Sequence, residues 1–286
     1  MIRAAVFSLG GIRTGKIEDY ADDLSAYFRE LQPDLAVLPA YSSLLLCAAS
    51  GRLQGEDSFN GYCKAFVREA KGWNEIYLEL HSELARDNKL FLVAGTTLEE
   101  EGGKVYHSAY CFGPDGEICA RQRQTHLSRE ERAFGLSRGG ELSLFEVAGM
   151  KAGFLVGNDA RHPETGRILA LKGAALVIHS GAIESGAKRV QPAGIWAQVQ
   201  QNQFWAAEAQ LKGALGGRSF GASSAVIGPC EITPDLSGYL ARESEGRPFA
   251  AAELDEDGRL RIKKSYPLLK LLHPAAYRGR LPELYG

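Results

Sequence analysis

Gly153-Phe154-Leu155-Val156-Gly157-Asn158-Asp159-Ala160-Arg161-His162-Pro163-Glu164 runs from an apolar strand through a short polar turn to a proline suited to the first turn of a helix. Residues 152–156 pair with residues 142–147 about Gly149, a helix follows from 163 to 171, and residues 174–179 form the next strand. Gly157 therefore falls where a strand turns toward a helix, a place that favours strained φ/ψ values which glycine adopts without a Cβ penalty. The same alternation continues outward. Residues 2–9 form a short apolar strand, and Ile17, Tyr20, Leu24, Tyr27, Phe28 and Leu31 recur at helical spacing until Pro33. Residues 35–38 read as a buried strand, and 41–61, with their Ser, Gly and Asp clusters, read as a loop. Phe66, Ala70, Trp73, Ile76, Tyr77, Leu80 and Leu84 mark a long amphipathic helix, with a strand at 90–98 beyond it. Residues 105–112 and 118–123 form a hairpin across Pro114-Asp115-Gly116, which puts Gln124 at a strand end. Ile195, Val199, Asn202, Gln203 and Ala206 suggest a helix over about 192–209, and the remainder reads as strands and turns. Strands alternating with helices in both halves give an α/β layered fold.

The chain has 286 residues, 45% of them hydrophobic, enough for a large core, and no Pro/Ser-rich or charge-rich linker divides it, so one domain over 1–286 is expected. A formal charge of −2 carries no basic stripe for a nucleic acid, and no polybasic or lipidation signal points to a membrane. No apolar run approaches the roughly 20 residues of a membrane span. Residues 1–9 are too short and too irregularly flanked for a secretory signal. The five cysteines are odd in number and lack CxxC spacing, which suits free thiols in a reducing cytoplasm rather than disulfides or a metal site. Cys63, Cys111 and Cys119 read as small buried hydrophobes.

Three stretches carry a family resemblance. Leu35-Ala36-Val37-Leu38-Pro39-Ala40 resembles an "apolar strand, Pro, Glu" signature. Residues 114–127, ending in Gln124-Thr125-His126-Leu127, resemble "PDGxxxxxYRKTHL", and residues 153–164 resemble "GxxICYDxRFPE". All three belong to the nitrilase (carbon–nitrogen hydrolase) superfamily and occur here in the family's order. Ala222-Ser223-Ser224-Ala225-Val226-Ile227-Gly228-Pro229, Ala251-Ala252-Glu253-Leu254-Asp255 and His273-Pro274-Ala275-Ala276-Tyr277-Arg278 resemble later segments, so the likeness spans most of the chain. The resemblance implies a four-layer α-β-β-α sandwich, no cofactor or metal, and self-association through helices and a C-terminal tail, here about 265–286. It also implies that Ala40, Gln124 and Gly157 stand where the family has its general-base Glu, its oxyanion-stabilising Lys and its nucleophilic Cys. Those three groups act as a unit, and a glycine cannot attack a carbonyl.

The leading expectation is therefore a non-catalytic homologue with a binding, regulatory or structural role. The emptied pocket would be roomier and less polar, fit for a small neutral polar ligand held by Gln124, His126, Glu131, Asn158, Asp159 and His162. Glu131 is the best match to a second family glutamate, with Glu130 its neighbour, although both would also suit a solvated turn. Asp159 and Arg161 are expected to form an internal ion pair, and His126 and His162 to be partnered structural histidines. The alternative is an amidase-like hydrolase with a displaced nucleophile, for which Cys47, Ser42 and Ser43 are the candidates. A remote alternative is a nucleotide-binding NTPase. Residues 10–17 fit most of GxxxxGK[ST] between a strand and a helix, but Ile17 offers no hydroxyl to Mg²⁺. Gly216-Gly217-Arg218-Ser219-Phe220-Gly221 reads as a tight loop rather than a phosphate site.

Overall fold

A computed structural model describes residues 1–53, 56, 58–273 and 275. The first half contains β1 (Ile2–Phe7), α1 (Ile17–Leu31), β2 (Leu35–Val37), α2 (Ser42–Ala49), α3 (Phe59–Asn88), β3 (Phe91–Glu101), β4 (Lys104–Phe112), β5 (Ile118–Arg123) and α4 (Arg129–Ala133). The second half contains β6 (Leu144–Val147), β7 (Met150–Val156), α5 (Pro163–Lys172), β8 (Leu176–Gly181), α6 (Ile195–Asn202), β9 (Trp205–Gln210), β10 (Lys212–Leu215), β11 (Arg218–Gly221), β12 (Ala225–Ile227), β13 (Tyr239–Arg242), β14 (Phe249–Leu254) and α7 (Glu256–Ser265).

Two six-stranded sheets result, ordered β14-β1-β2-β3-β4-β5 and β13-β12-β9-β8-β7-β6, while β10 and β11 form a separate hairpin. Strand alternation explains the layering. In β1, Ile2, Ala4 and Val6 point at the second sheet, and Ala5 and Phe7 point at α1 and α3. In β7 and β8, Phe154, Val156, Leu176 and Ile178 face the first sheet, while Leu155 and Val177 pack under α5 and α6. Each sheet thus buries both faces, which gives a four-layer α-β-β-α sandwich. Burying one Leu or Phe in such a layer contributes roughly 1.5–3 kcal/mol.

The parallel trios β1-β2-β3 and β7-β8-β9 end at one edge of the sandwich, and the chain leaves them there in tight turns. Tyr41 takes φ 61° as α2 begins. Gly95 in β3 has φ +71°, and a Cβ there would lie 2.2 Å from the Pro39 carbonyl oxygen and 2.3 Å from Ser42 Oγ. Only a glycine lets the Pro39–Ser42 turn close on the sheet.

Several expectations need correction. Residues 42–49 are the helix α2 rather than loop: Leu44, Leu46 and Cys47 are buried on it, and no Gly or Pro interrupts it. The helix near 192–209 stops at Asn202, with Gln203 left-handed at φ 58°, and Trp205–Gln210 is the strand β9 between β8 and β12. Its Ala-rich composition favours helix, but pairing on both sides outweighs that propensity. Cys119 is exposed on the edge strand β5, whereas Cys63 and Cys111 are buried. In the residue 10–17 loop, Arg13 pairs with Asp19 and Asp23, and Glu18 and Asp19 make the first turn of α1 acidic, a poor setting for phosphate. Residues 216–217 are the turn of the β10–β11 hairpin. No described helix is long and apolar enough to cross a membrane. Tyr277 and most of the 265–286 tail lie outside the described residues.

Candidate functional site

A cleft of about 190 Å³ opens where the parallel strands end, and Ala40, Tyr41, Gly157, His179 and Gly181 line it. Ligands of open α/β sheets bind at this carboxyl edge of the strands. Glu130, Glu131, Asn158, Arg161, Glu184, Gln191, Glu208 and Arg218 supply the polar lining. The cleft is consequently more charged than the neutral pocket expected from sequence. Arg218 holds Glu130 and, at 3.2 Å, Glu184, so three of these charges form a cluster of their own.

Beneath the cleft lies a buried hydrogen-bond chain. The Tyr41 N–H donates to Thr96 Oγ1 (2.7 Å), whose hydroxyl donates to His107 Nε2 (2.6 Å). That leaves His107 Nδ1–H to donate to Gln124 Oε1 (2.6 Å), while Gln124 Nε2 donates to Glu131 Oε2 (3.0 Å) and the His126 carbonyl (2.9 Å). The acceptor-only Glu131 carboxylate fixes the Gln124 amide orientation, which in turn sets the neutral His107 tautomer and makes Thr96 the donor. Glu131 also accepts from the Ser128 N–H (2.7 Å) in a capping box that starts α4. It is a buried member of the site and no solvated turn charge.

Burial by itself would raise the Glu131 carboxyl, but His107 at 3.6 Å and the Ser128 bonds outweigh it and hold the carboxyl down to about 2. The depressed value gives a definite pH dependence. Its stabilisation is complete above the ordinary 4.5 and is lost as pH falls toward about 2. Urea melts across that interval should lose on the order of 2–3 kcal/mol from this group. Glu131→Gln should flatten this part of the profile, and an unchanged slope would refute the assignment.

Gly157, at φ +51°, closes the chain from above: a Cβ there would point at Gln124 Oε1, 3.2 Å away, and toward His107. Ala40 is fully buried beside it, its N–H donating to the Gly181 carbonyl (3.2 Å). The fold thus brings together Ala40, Gln124 and Gly157 from three distant stretches. Of the other residues singled out in the sequence, Glu131 and Asn158 line the cleft, whereas His126 and His162 stack on one another (4.3 Å between ring centroids) outside its lining. The Asp159–Arg161 ion pair does not form. Asp159 is fully buried and its oxygens accept the N–H groups of Thr125 (3.0 Å), His126 (2.7 Å) and Val156 (3.2 Å) plus the Thr125 hydroxyl (2.9 Å). With those lone pairs engaged, Arg161 is left at the cleft wall, in no ion pair among the described residues.

The carbon–nitrogen hydrolase family model matches residues 28–232, a span that contains all of these positions. The chain belongs to the carbon–nitrogen hydrolase family. It is similar to omega-amidase NIT2 of Danio rerio, 26% identical over 73% of this chain and 76% of that one. A nitrilase of Pyrococcus abyssi is 31% identical over 51% of this chain and 54% of its own length. Among solved structures, a carbon–nitrogen hydrolase from Helicobacter pylori G27 superposes with a TM-score of 0.80 at 23% identity, covering 98% of both chains. An amidase from Nesterenkonia sp. AN1, captured with an acetamide moiety added to its active site cysteine, gives a TM-score of 0.67 at 20% identity over 95% of this carbon–nitrogen hydrolase family member and 97% of that chain.

Other polar residues of this family member escaped the sequence reading. His179 contacts the Gly157 carbonyl through Nε2 (3.1 Å) and Glu208 through Nδ1 (3.2 Å), and Gln191 and Gln210 donate to Glu208. His107, His179 and Glu208 each interrupt an otherwise apolar strand run. A buried polar residue in such a run must have a partner, and that was the available signal.

Proposed function

We propose that this protein is a non-hydrolytic member of its family that binds a small neutral polar molecule in the cleft. One observation carries the proposal: the space before position 157 is occupied by the completed Gln124–His107–Glu131 chain, with no side chain at 157 to attack anything. In that view Ala40, Gln124 and Gly157 replace the family's Glu, Lys and Cys. A ligand amide could pair both its donors and its acceptor with Asn158, Gln191 and the backbone around Gly157. Incubation with amides, nitriles, ureas and carbamylated amines should give no turnover above the water rate and no acyl adduct by mass spectrometry. A stoichiometric adduct on any Cys or Ser would overturn the proposal.

A second reading, amide hydrolysis by a displaced nucleophile, is favoured by the omega-amidases among the relatives. Its earlier candidates are poorly placed. Cys47 is buried, which pushes its thiol up to about 12. Ser42 donates to the Pro39 carbonyl (2.6 Å) and Ser43 receives the Trp73 indole (3.0 Å). Ser128 is the one serine among the described lining residues, and a stoichiometric acyl adduct on Ser128 would establish this alternative.

The proposal includes self-association. Ile168 and Leu171 on α5 are 41% and 60% exposed, apolar surface that a second copy can cover. Light scattering at micromolar concentration should give a mass above the 31.0 kDa of the chain, and a monodisperse peak at that mass would count against it.

A further inference from the structure

Outside the cleft lining, His126, His162 and Glu164 bring one ligand atom each to within 4.8 Å of one another. His126 Nε2 is 3.3 Å from Glu164 Oε1, and His162 Nδ1 is 4.0 Å from the same oxygen. Four-coordinate Zn²⁺ with ligands at about 2.0–2.2 Å needs its donors roughly 3.3 Å apart, so the two stacked imidazoles must turn out of their stack to bring both lone pairs onto one ion.

The surroundings prepare His126 for such a role. Thr125 Oγ1 donates to Asp159 Oδ1 (2.9 Å) and so accepts from His126 Nδ1–H (2.8 Å). This relay aims the other nitrogen, with its lone pair, at a carboxylate oxygen. Two negative faces at 3.3 Å need a cation or a proton between them. A histidine whose far N–H is anchored toward a carboxylate is the usual arrangement behind a metal ligand. We infer that His126, His162 and Glu164 form a divalent transition-metal site, with Zn²⁺ the best match to two imidazoles, one carboxylate and an open fourth position.

Binding requires one further rearrangement. Asn158 Nδ2 now donates to His162 Nε2 (3.1 Å) and to the His126 carbonyl (3.2 Å). When His162 Nδ1 takes the metal, its proton resides on Nε2, and the Asn158 amide must flip to present oxygen. The His126 carbonyl keeps its bond from Gln124. Arg138 is the nearby cation that opposes the site, and Asp159 and Glu164 are the carboxylates that favour it. The metal would join the segment after β5 to the start of α5 directly beside the cleft, whether or not the cleft is catalytic.

The test is equilibrium dialysis of chelator-treated full-length protein against Zn²⁺, with metal counted by mass spectrometry, and the visible spectrum after Co²⁺ loading. Wild type should bind one Zn²⁺ per chain and give an intense four-coordinate Co²⁺ band. His162→Ala and Glu164→Gln, whose side chains are partly exposed, should each weaken binding at least about tenfold and abolish the band. His273→Ala, which alters an exposed histidine elsewhere, should change neither. Circular dichroism confirms that each variant is folded. Less than half an equivalent of Zn²⁺ on wild type, or equal binding by wild type and His162→Ala, would overturn the inference.

Discussion

The triple variant Ala40→Glu, Gln124→Lys, Gly157→Cys is expected to unfold about 4–6 kcal/mol more readily than wild type, a large share of the 5–15 kcal/mol available to a typical domain. At position 157, φ +51° puts any Cβ in a strained left-handed conformation, 3.2 Å from the group at position 124. That strain costs about 1–2 kcal/mol. Lysine at 124 can still reach Glu131, but His107 Nδ1–H loses its acceptor, a loss of roughly 1–3 kcal/mol for a buried donor. Glutamate at 40 enters a fully buried site packed for a methyl group, where desolvation is the largest penalty. The three changes touch one another and will not add simply. Urea melts measure the stability, and single-turnover assays on an amide measure any recovered chemistry. Wild-type stability together with clear activity would show that the surrounding framework still supports hydrolysis.

Asp159→Ala should be nearly as damaging, at about 3–5 kcal/mol, because a fully buried carboxylate is removed from three backbone N–H groups at once. Those donors lie on the segment after β5 and at the end of β7, so both sides of the site lose their anchor together. Asp159→Asn keeps the shape but turns an N–H₂ toward other donors, and should fall between wild type and Asp159→Ala. Denaturant melts order the three proteins, and hydrogen exchange at Thr125 and His126 reports whether the loss is local to this junction. Unchanged exchange there would contradict the anchoring role.

The layered fold was legible because its strands and helices have clear periods: the unit from residue 152 to 179 is recoverable from its apolar runs, the turn at Gly149 and Pro163. The failures have physical causes. Trp205–Gln210 is rich in alanine and becomes a strand because β8 and β12 flank it, which no local property records. At the site, the family resemblance picked out Ala40, Gln124 and Gly157, which the fold brings together. Asp159 was expected to pair with Arg161, although it is held by the Val156 N–H and by Thr125 and His126 from thirty-odd residues upstream. His107 could be noticed as a polar break in an apolar strand, but its role could not be read, because only the folded β4 sets its ring between Thr96 and Gln124.

The chain of donors from Tyr41 through Thr96, His107 and Gln124 to Glu131 runs in one direction, and that sense has a bearing on descent. Position 124 must accept from one side and donate to the other, so lysine, which cannot accept, breaks the chain as a lone substitution. Glutamate at 40 and cysteine at 157, taken singly, bring a buried charge or a strained residue with no reactive partner. Every first step of a three-step walk toward the family's reactive trio therefore descends in stability before any benefit appears. On the non-hydrolytic reading proposed above, each of those single steps would cost stability before the other two could make it useful.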